Sequence, residues 1–432
     1  MVEAKVARWS RFLVYFILAV LPLERIPSVD AAGITIRLSQ VAGLVLIGIN
    51  LPTMWRHRDE LLRKNPWRWL AAFWVVCVIS AGLSAHLKRP VEVAAFTIFV
   101  GVLAWVVSLR FERERVPVYF KIIGWSAIAV CIFGLYQFFG DLLGLPVGFT
   151  GLRPQYTADV FGFPRIQSTG LEPLYFADYL LVPAGLMIAA VVARDRQRFA
   201  LGTLTLAAMI VWLTVSRGAM VALAVALLAG VGAAAHKQRW KAAGLLVASA
   251  VMSMVLAYGL LYVGTHFVVR KQNAQTKSAV KNFQTQQVNI SNGESSEGRT
   301  ITRNLAIKAF ESHPVLGIGP GAFGAYAAKE MPDRFGGDKS IVNNEPLELL
   351  AETGLAGLLT LGAFLIYLLL GVARAPKPDR AVTVLAYGLL LAAGAIALQY
   401  QLFSTLYITH VWVVIGLLGG IMVIQRPGKR KA

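Results

Sequence analysis

Arg217 stands in Ser216-Arg217-Gly218, between two apolar stretches joined by almost no loop. A guanidinium at such a junction is costly unless it is paired or faces water or an anion. It is therefore either an interfacial anchor that snorkels to the surface or a ligand for an anion. Arg165, in Phe163-Pro-Arg-Ile-Gln-Ser-Thr-Gly170, precedes the next apolar stretch by a few residues and belongs to the same face. Arg299 and Arg303 are four apart, on one side of a helix, where they either pair with Glu297 or Glu311 or join the other two arginines. Guanidinium forks bind phosphate oxygens bidentately, so several arginines converging at one membrane face suit a diphosphate.

His313 precedes Pro314 and the glycine-rich Gly317-Ile-Gly-Pro-Gly321. A neutral imidazole there could accept a proton from a hydroxyl nucleophile, or simply cap the end of a helix. His57 and His236 fall in basic loops, His86 near a turn, and His266 at a loop start. His410 lies inside the last apolar stretch and should face the interior of the bundle. Asn343 and Asn344 sit where a helix begins and offers free amide donors to an anion. Glu345, Glu348 and Glu352 share one face of that helix, complementing its dipole, countering an arginine, or serving as a carboxylate base. Cys77 and Cys131 both lie in apolar segments and read as packing residues.

The elements that must position these groups are membrane helices. The chain is 56% hydrophobic and 15% charged, where a soluble domain carries roughly a quarter charged residues. Apolar runs long enough to cross about 30 Å of hydrocarbon recur along its length. We read an all-α polytopic membrane protein of about 12 transmembrane helices, with a large, partly helical periplasmic loop between helices 9 and 10. The first spans are expected near 11–27 and 34–52, and the last near 402–424. Residues 1–263 carry helices 1–9, including a shaped loop at 141–171; residues 264–345 form the large loop; residues 346–432 carry helices 10–12 and a basic tail. Within the large loop, Lys271 to Asn292 is polar and helical or mobile, Gly293 to Gly298 is a flexible joint, and Arg299 to Ser312 is a helix that Pro314 ends.

Net charge is +19, yet it does not point to nucleic acid. With the N-terminus inside, nearly all of the excess falls on inner segments such as Arg56, Arg58, Arg63 and Lys64, or Arg110, Arg113 and Arg115. That is the positive-inside asymmetry, and it puts both termini in the cytoplasm, with Arg426, Lys429, Arg430 and Lys431 in the tail.

In this order and on this topology, these residues resemble the O-antigen ligase/polymerase family of bacterial inner membranes, and within it the lipopolysaccharide O-antigen ligases. The resemblance covers roughly residues 160–360. Arg165 with Gly170 and Pro173 is similar to a family segment before a span, and Ser216-Arg217-Gly218-Ala219 to its Ser-Arg-Gly element between helices. Gly298-Arg299 with His313-Pro314 and Gly317 to Gly321 is similar to the outer-loop signature. Asn343-Asn344, nine residues, then Gly354-Leu-Ala-Gly357 is similar to a motif whose first residue in the family is histidine. Asparagine cannot be a general base at neutral pH. Either His313 takes that role, or the reaction needs no side-chain base, or position 343 only orients substrate.

The resemblance implies a glycosyltransferase at the periplasmic face of a Gram-negative inner membrane. It would move O-antigen polysaccharide from undecaprenyl diphosphate to a sugar hydroxyl of lipid A–core, with inversion at the anomeric carbon and with no metal or cofactor. Arg165, Arg217, Arg299, Arg303, Asn343 and Asn344 would hold diphosphate and glycan, with Arg217, Arg299 and His313 acting in catalysis. An O-antigen polymerase or a pilin O-oligosaccharyltransferase would use the same donor type. A transporter or flippase for lipid-linked sugars is a different class, which predicts charges lining a path through the membrane.

Overall fold

The computed structural model describes residues 2–26, 28–31, 34–61, 65–268, 277–288, 294–337 and 339–424. A first helix, α1 (Val2–Val20), is followed by an antiparallel pair of short strands, β1 (Ser28–Ala31) and β2 (Ile34–Arg37), with Ser28 opposite Arg37. Then come α2 (Leu38–His57), α3 (Trp67–Leu83), α4 (Lys88–Leu109), α5 (Val116–Leu142), α6 (Pro173–Ala193), α7 (Gln197–Thr214), α8 (Arg217–His236) and α9 (Trp240–Val263). The polar region holds α10 (Ala279–Val288), α11 (Glu294–Ser312) and α12 (Phe323–Glu330). The chain closes with α13 (Glu345–Arg374), α14 (Arg380–Gln399) and α15 (Thr409–Ile424).

Among the described residues, nine helices are long and apolar enough to cross a membrane. Trp67–Leu83 and Thr409–Val423 are shorter and also apolar. The architecture is thus an all-α polytopic membrane fold. Several boundaries differ from the sequence reading. The second span starts at Leu38, because Ile34–Arg37 pairs as a strand instead. The last starts at Thr409, because residues 400–408 form a buried turn in which Thr405 Oγ1 meets Tyr175 and the Trp412 indole donates to Leu406 O (2.6 Å). Helix α11 begins at Glu294, so the expected joint up to Gly298 is already helical. Residues 269–276, 289–293 and the basic tail lie outside the described residues.

Helix α6 is the axis of the bundle: from Phe176 to Val192 every side chain is buried. It packs on α7, α8 and α14, and crosses α14 where a side chain on Gly185 would meet the Gly388 carbonyl. Small residues let helix backbones approach this closely where lipid supplies no hydrophobic drive. A second, smaller core lies outside this bundle. Leu305, Ala306 and Ala309 of α11, with Phe323 and Ala327 of α12, pack on Val342 and on Ala351 of α13.

Helix α13 is broken at Gly354 (φ 64°). The break is closed by a distant segment: Ile318 and Gly319 donate to Ala351 O and Glu352 O (3.0 and 2.9 Å), while Leu355 and Ala356 donate to Pro314 O and Val315 O (2.9 and 3.1 Å). Ser80 Oγ of α3 adds bonds to Leu316 O and Glu352 O (2.6 and 2.9 Å). Irregular backbone at membrane depth survives only when its polar groups are satisfied by protein. Here the Gly317–Gly321 turn supplies that. It roots α11 and α12 onto the bundle.

Candidate functional site

The loop leading into α6 is held rigidly. Ser168 N donates to Gln137 Oε1 (2.7 Å) and Gln137 Nε2 donates to Ser168 O (3.1 Å), tying the loop to α5. Glu24 N and Arg25 N both donate to Thr169 O (3.2 and 2.9 Å), and Thr169 Oγ1 donates to Pro22 O (2.7 Å). With Phe163 and Ile166 fully buried on either side, Arg165 has a fixed base.

Its guanidinium donates through both Nε and Nη2 to Thr214 O (3.2 Å each), at the C-terminal end of α7. The cation also lies over the rings of Phe161 (5.1 Å) and Tyr156 (5.6 Å). A planar fork on a helix-end carbonyl, stacked on aromatics, is an arrangement lysine cannot copy. The next residue, Val215, has φ 52°, an uncommon conformation for a β-branched side chain. This sharp turn lets α8 begin at once and sets half-buried Arg217 in its first turn.

The electrostatics show which arginines meet. Burial pulls the Arg165 guanidinium below the usual arginine range. Tyr156 and Glu172 push it back, and Arg217 pulls it lower. Arg299, half-buried at the start of α11, is held down first by burial and then by Arg217. Arg217 therefore lies within electrostatic reach of both, and the three guanidiniums come from three separate elements. Arg299 does not pair with Glu297, which bonds Arg334 (2.7 Å) instead. Arg303, a turn further along α11, is exposed.

Asn343 and Asn344 border the same region. Thr302 Oγ1, in the turn after Arg299, donates to Val342 O (3.1 Å). Asn343 N donates to Ser404 Oγ (3.1 Å), and its φ is 59°. Asn344 caps α13, its Oδ1 accepting from Leu347 N (3.0 Å) while Nδ2 donates to Gln401 O (3.0 Å). These two bonds fix the side chain and leave one N–H of Nδ2 over. His313 is exposed at the far end of α11, with Nδ1 2.9 Å from Ser312 Oγ. Helical rise sets it about 20 Å along the axis from Arg299. The structure does not bring His313 to the arginines.

Other groups were missed in the sequence. Glu172, N-cap residue of α6, acts on both Arg165 and Tyr156, and nothing in its spacing distinguishes it. Gly218 packs on Gln399 and Leu402, so the Ser216–Gly218 turn abuts the end of α14. Ser216 Oγ, Gln399 Oε1 and Gln167 Oε1 are buried with no hydrogen-bond partner among the described residues. Unsatisfied buried polar atoms are rare, and one beside a cation is where a polar ligand or water is expected.

Glu345, Glu348 and Glu352 do share one face, and it looks inward. Glu352 accepts from Gly321 N (2.6 Å) and Phe323 N (3.2 Å), and Glu348 from Ser404 Oγ (2.5 Å) and Val342 N (2.7 Å). Arg89 of α4 is the cation beside them, with its guanidinium 3.4 Å from Tyr407 Oη. They lock the splice and the α13 start in place. His410 faces the interior as expected, with Nε2 2.9 Å from Asp178 Oδ2 and Nδ1 3.5 Å from Glu24 Oε1.

No curated protein matches the chain. A protein-family model described as O-antigen ligase matches residues 202–362. The matched stretch contains Arg217, Arg299, the α11–α12 unit and the spliced first part of α13, and it begins after Arg165. With its apolar helices, the chain is a multi-pass membrane protein that resembles the O-antigen ligases over residues 202–362.

Proposed function

We propose that the protein is an O-antigen ligase that transfers polysaccharide from undecaprenyl diphosphate to a sugar hydroxyl of lipid A–core. The work takes place at the periplasmic face of the inner membrane, with both termini in the cytoplasm. The observation that carries this reading is the electrostatic reach of Arg217 to both Arg165 and Arg299, next to the buried, partnerless Ser216 Oγ. Lipid-linked diphosphate leaves readily once its developing charge is neutralised, and fixed guanidiniums do this without reorganising during the reaction. Arg165 and Arg217 clamp the diphosphate, Arg299 closes over it from the outer unit, and Arg303 and Asn343 border the glycan.

Direct attack by the acceptor hydroxyl inverts the anomeric carbon, and the hydroxyl proton needs an acceptor. Two residues could take it. Glu172 lies within electrostatic reach of Arg165, while His313 is about 20 Å from Arg299 along α11. We assign the proton to Glu172 and leave His313 to the acceptor glycan.

The test is incubation of purified protein with undecaprenyl-diphosphate glycan and lipid A–core. Transfer to core is the expected product. Lengthening of the lipid-linked glycan would make it a polymerase, and no new glycosidic bond would leave the transporter reading. Arg217→Ala should lower the rate on the order of 10²–10³-fold with the protein still folded. Glu172→Gln should abolish transfer while His313→Ala chiefly raises KM for the acceptor; the reverse pattern would return the proton to His313.

A further inference from the structure

A half-open cavity of about 890 Å³ lies between α6, α8 and α14, at the end of the bundle opposite the arginine site. Arg217 opens α8 and Lys237 follows its last residue, so 20 residues, about 30 Å of helix, separate the two places. The inner wall is aliphatic and small, built by residues such as Gly230 of α8 and Leu391 of α14. The mouth is cationic: Arg194, Lys237, Arg239 and Arg380 all line it.

These cations are held in place. Arg239 donates to Val192 O (2.6 Å) and Arg380 to Ala193 O, the last carbonyls of α6. Lys237 lies over the Tyr387 ring (5.7 Å). Each guanidinium has five donors, so one bond to a carbonyl leaves a fork free for an oxyanion. Among the described residues none of the four pairs with a carboxylate, and nearby Asp379 is bound to Arg113 (2.8 Å). Arg194, Lys237 and Arg380 are exposed and so remain hydrated, and four like charges at one mouth favour an anion that shares the site.

We propose that this cavity is a binding site for an anionic phospholipid. The phosphodiester sits among Arg194, Lys237, Arg239 and Arg380, and the acyl chains run along the aliphatic wall. The volume falls in the range of specific ligand pockets, and basic pockets between membrane helices suit anionic headgroups. A free phosphate would satisfy the mouth and leave the apolar depth empty, which argues for the lipid.

The experiment uses the full chain, reconstituted in phosphatidylcholine vesicles containing phosphatidylglycerol, then analysed by native mass spectrometry for retained lipid. Phosphatidylglycerol should be retained at least tenfold over its share of the vesicle, and excess inorganic phosphate should not displace it. A Lys237→Gln, Arg380→Gln double variant should lose the preference. Ala233→Trp, which fills the aliphatic side with all charges kept, should lose both lipids. Equal retention of the two lipids, displacement by phosphate, or an unchanged preference in Ala233→Trp would each overturn the proposal. That last variant decides the matter even where the charge variant fails to fold.

Discussion

At the scale of single residues, the arginines divide by what their donors already hold. Arg165 builds the site it belongs to, because its fork fixes the α7 end that sets Arg217. Its role could be suspected from the sequence, since an arginine beside a span needs a partner. The reach of Arg217 to Arg165 and Arg299 could not, because the three are far apart in the chain and electrostatic neighbourhood is a tertiary property. His410 tells the same story. An embedded imidazole had to face inward, yet its partners Asp178 and Glu24 come from a different helix and a loop. Removing one member of a buried ionic group strands the others. Asp178→Ala should therefore destabilise the bundle by roughly 3–5 kcal/mol, read as a clear fall in the detergent thermal midpoint. An unchanged midpoint would mean that the group is not ionised as a unit.

At the scale of elements, helix positions were largely legible because apolar length is a local signal. The ends were less so. β2 replaced the start of one expected span because its backbone pairs with the neighbouring β1, and the 400–408 turn replaced the start of another, tied to Tyr175 and to Trp412. The glycine motifs were visible singly, but their mutual fit was not. A Cβ on Gly317 would stand 2.2 Å from the Glu352 backbone, and one on Gly354 would stand 2.3 Å from that of Val315. Both have positive φ, adding about 1–2 kcal/mol of strain for any L side chain. Gly354→Ala and Gly317→Ala should each lower folded yield and thermal midpoint sharply, whereas Gly336→Ala, with open space around its Cα, should leave both unchanged. A midpoint for Gly354→Ala equal to that of Gly336→Ala would show that the splice does not hold α13.

At the scale of the whole molecule, charge is sorted between two ends of one bundle. One end carries Arg217 within electrostatic reach of Arg165 and Arg299; the other carries the basic cavity mouth. If the first is a diphosphate site, inorganic pyrophosphate should compete with the lipid-linked donor, more weakly in Arg217→Ala and at high salt. Inhibition insensitive to that substitution would put the anion elsewhere. The splice in α13 also bears on how such a chain can be made. Residues 314–319 are synthesised before residues 351–356, so the patch exists before the break it closes. When α13 enters the bilayer, the carbonyls of Ala351 and Glu352 and the amides of Leu355 and Ala356 need partners at once, at several kcal/mol for each group left open in hydrocarbon. Insertion of this helix is therefore coupled to docking of a segment made earlier, and biogenesis can stall at one identifiable step, after synthesis of the loop and before seating of the helix.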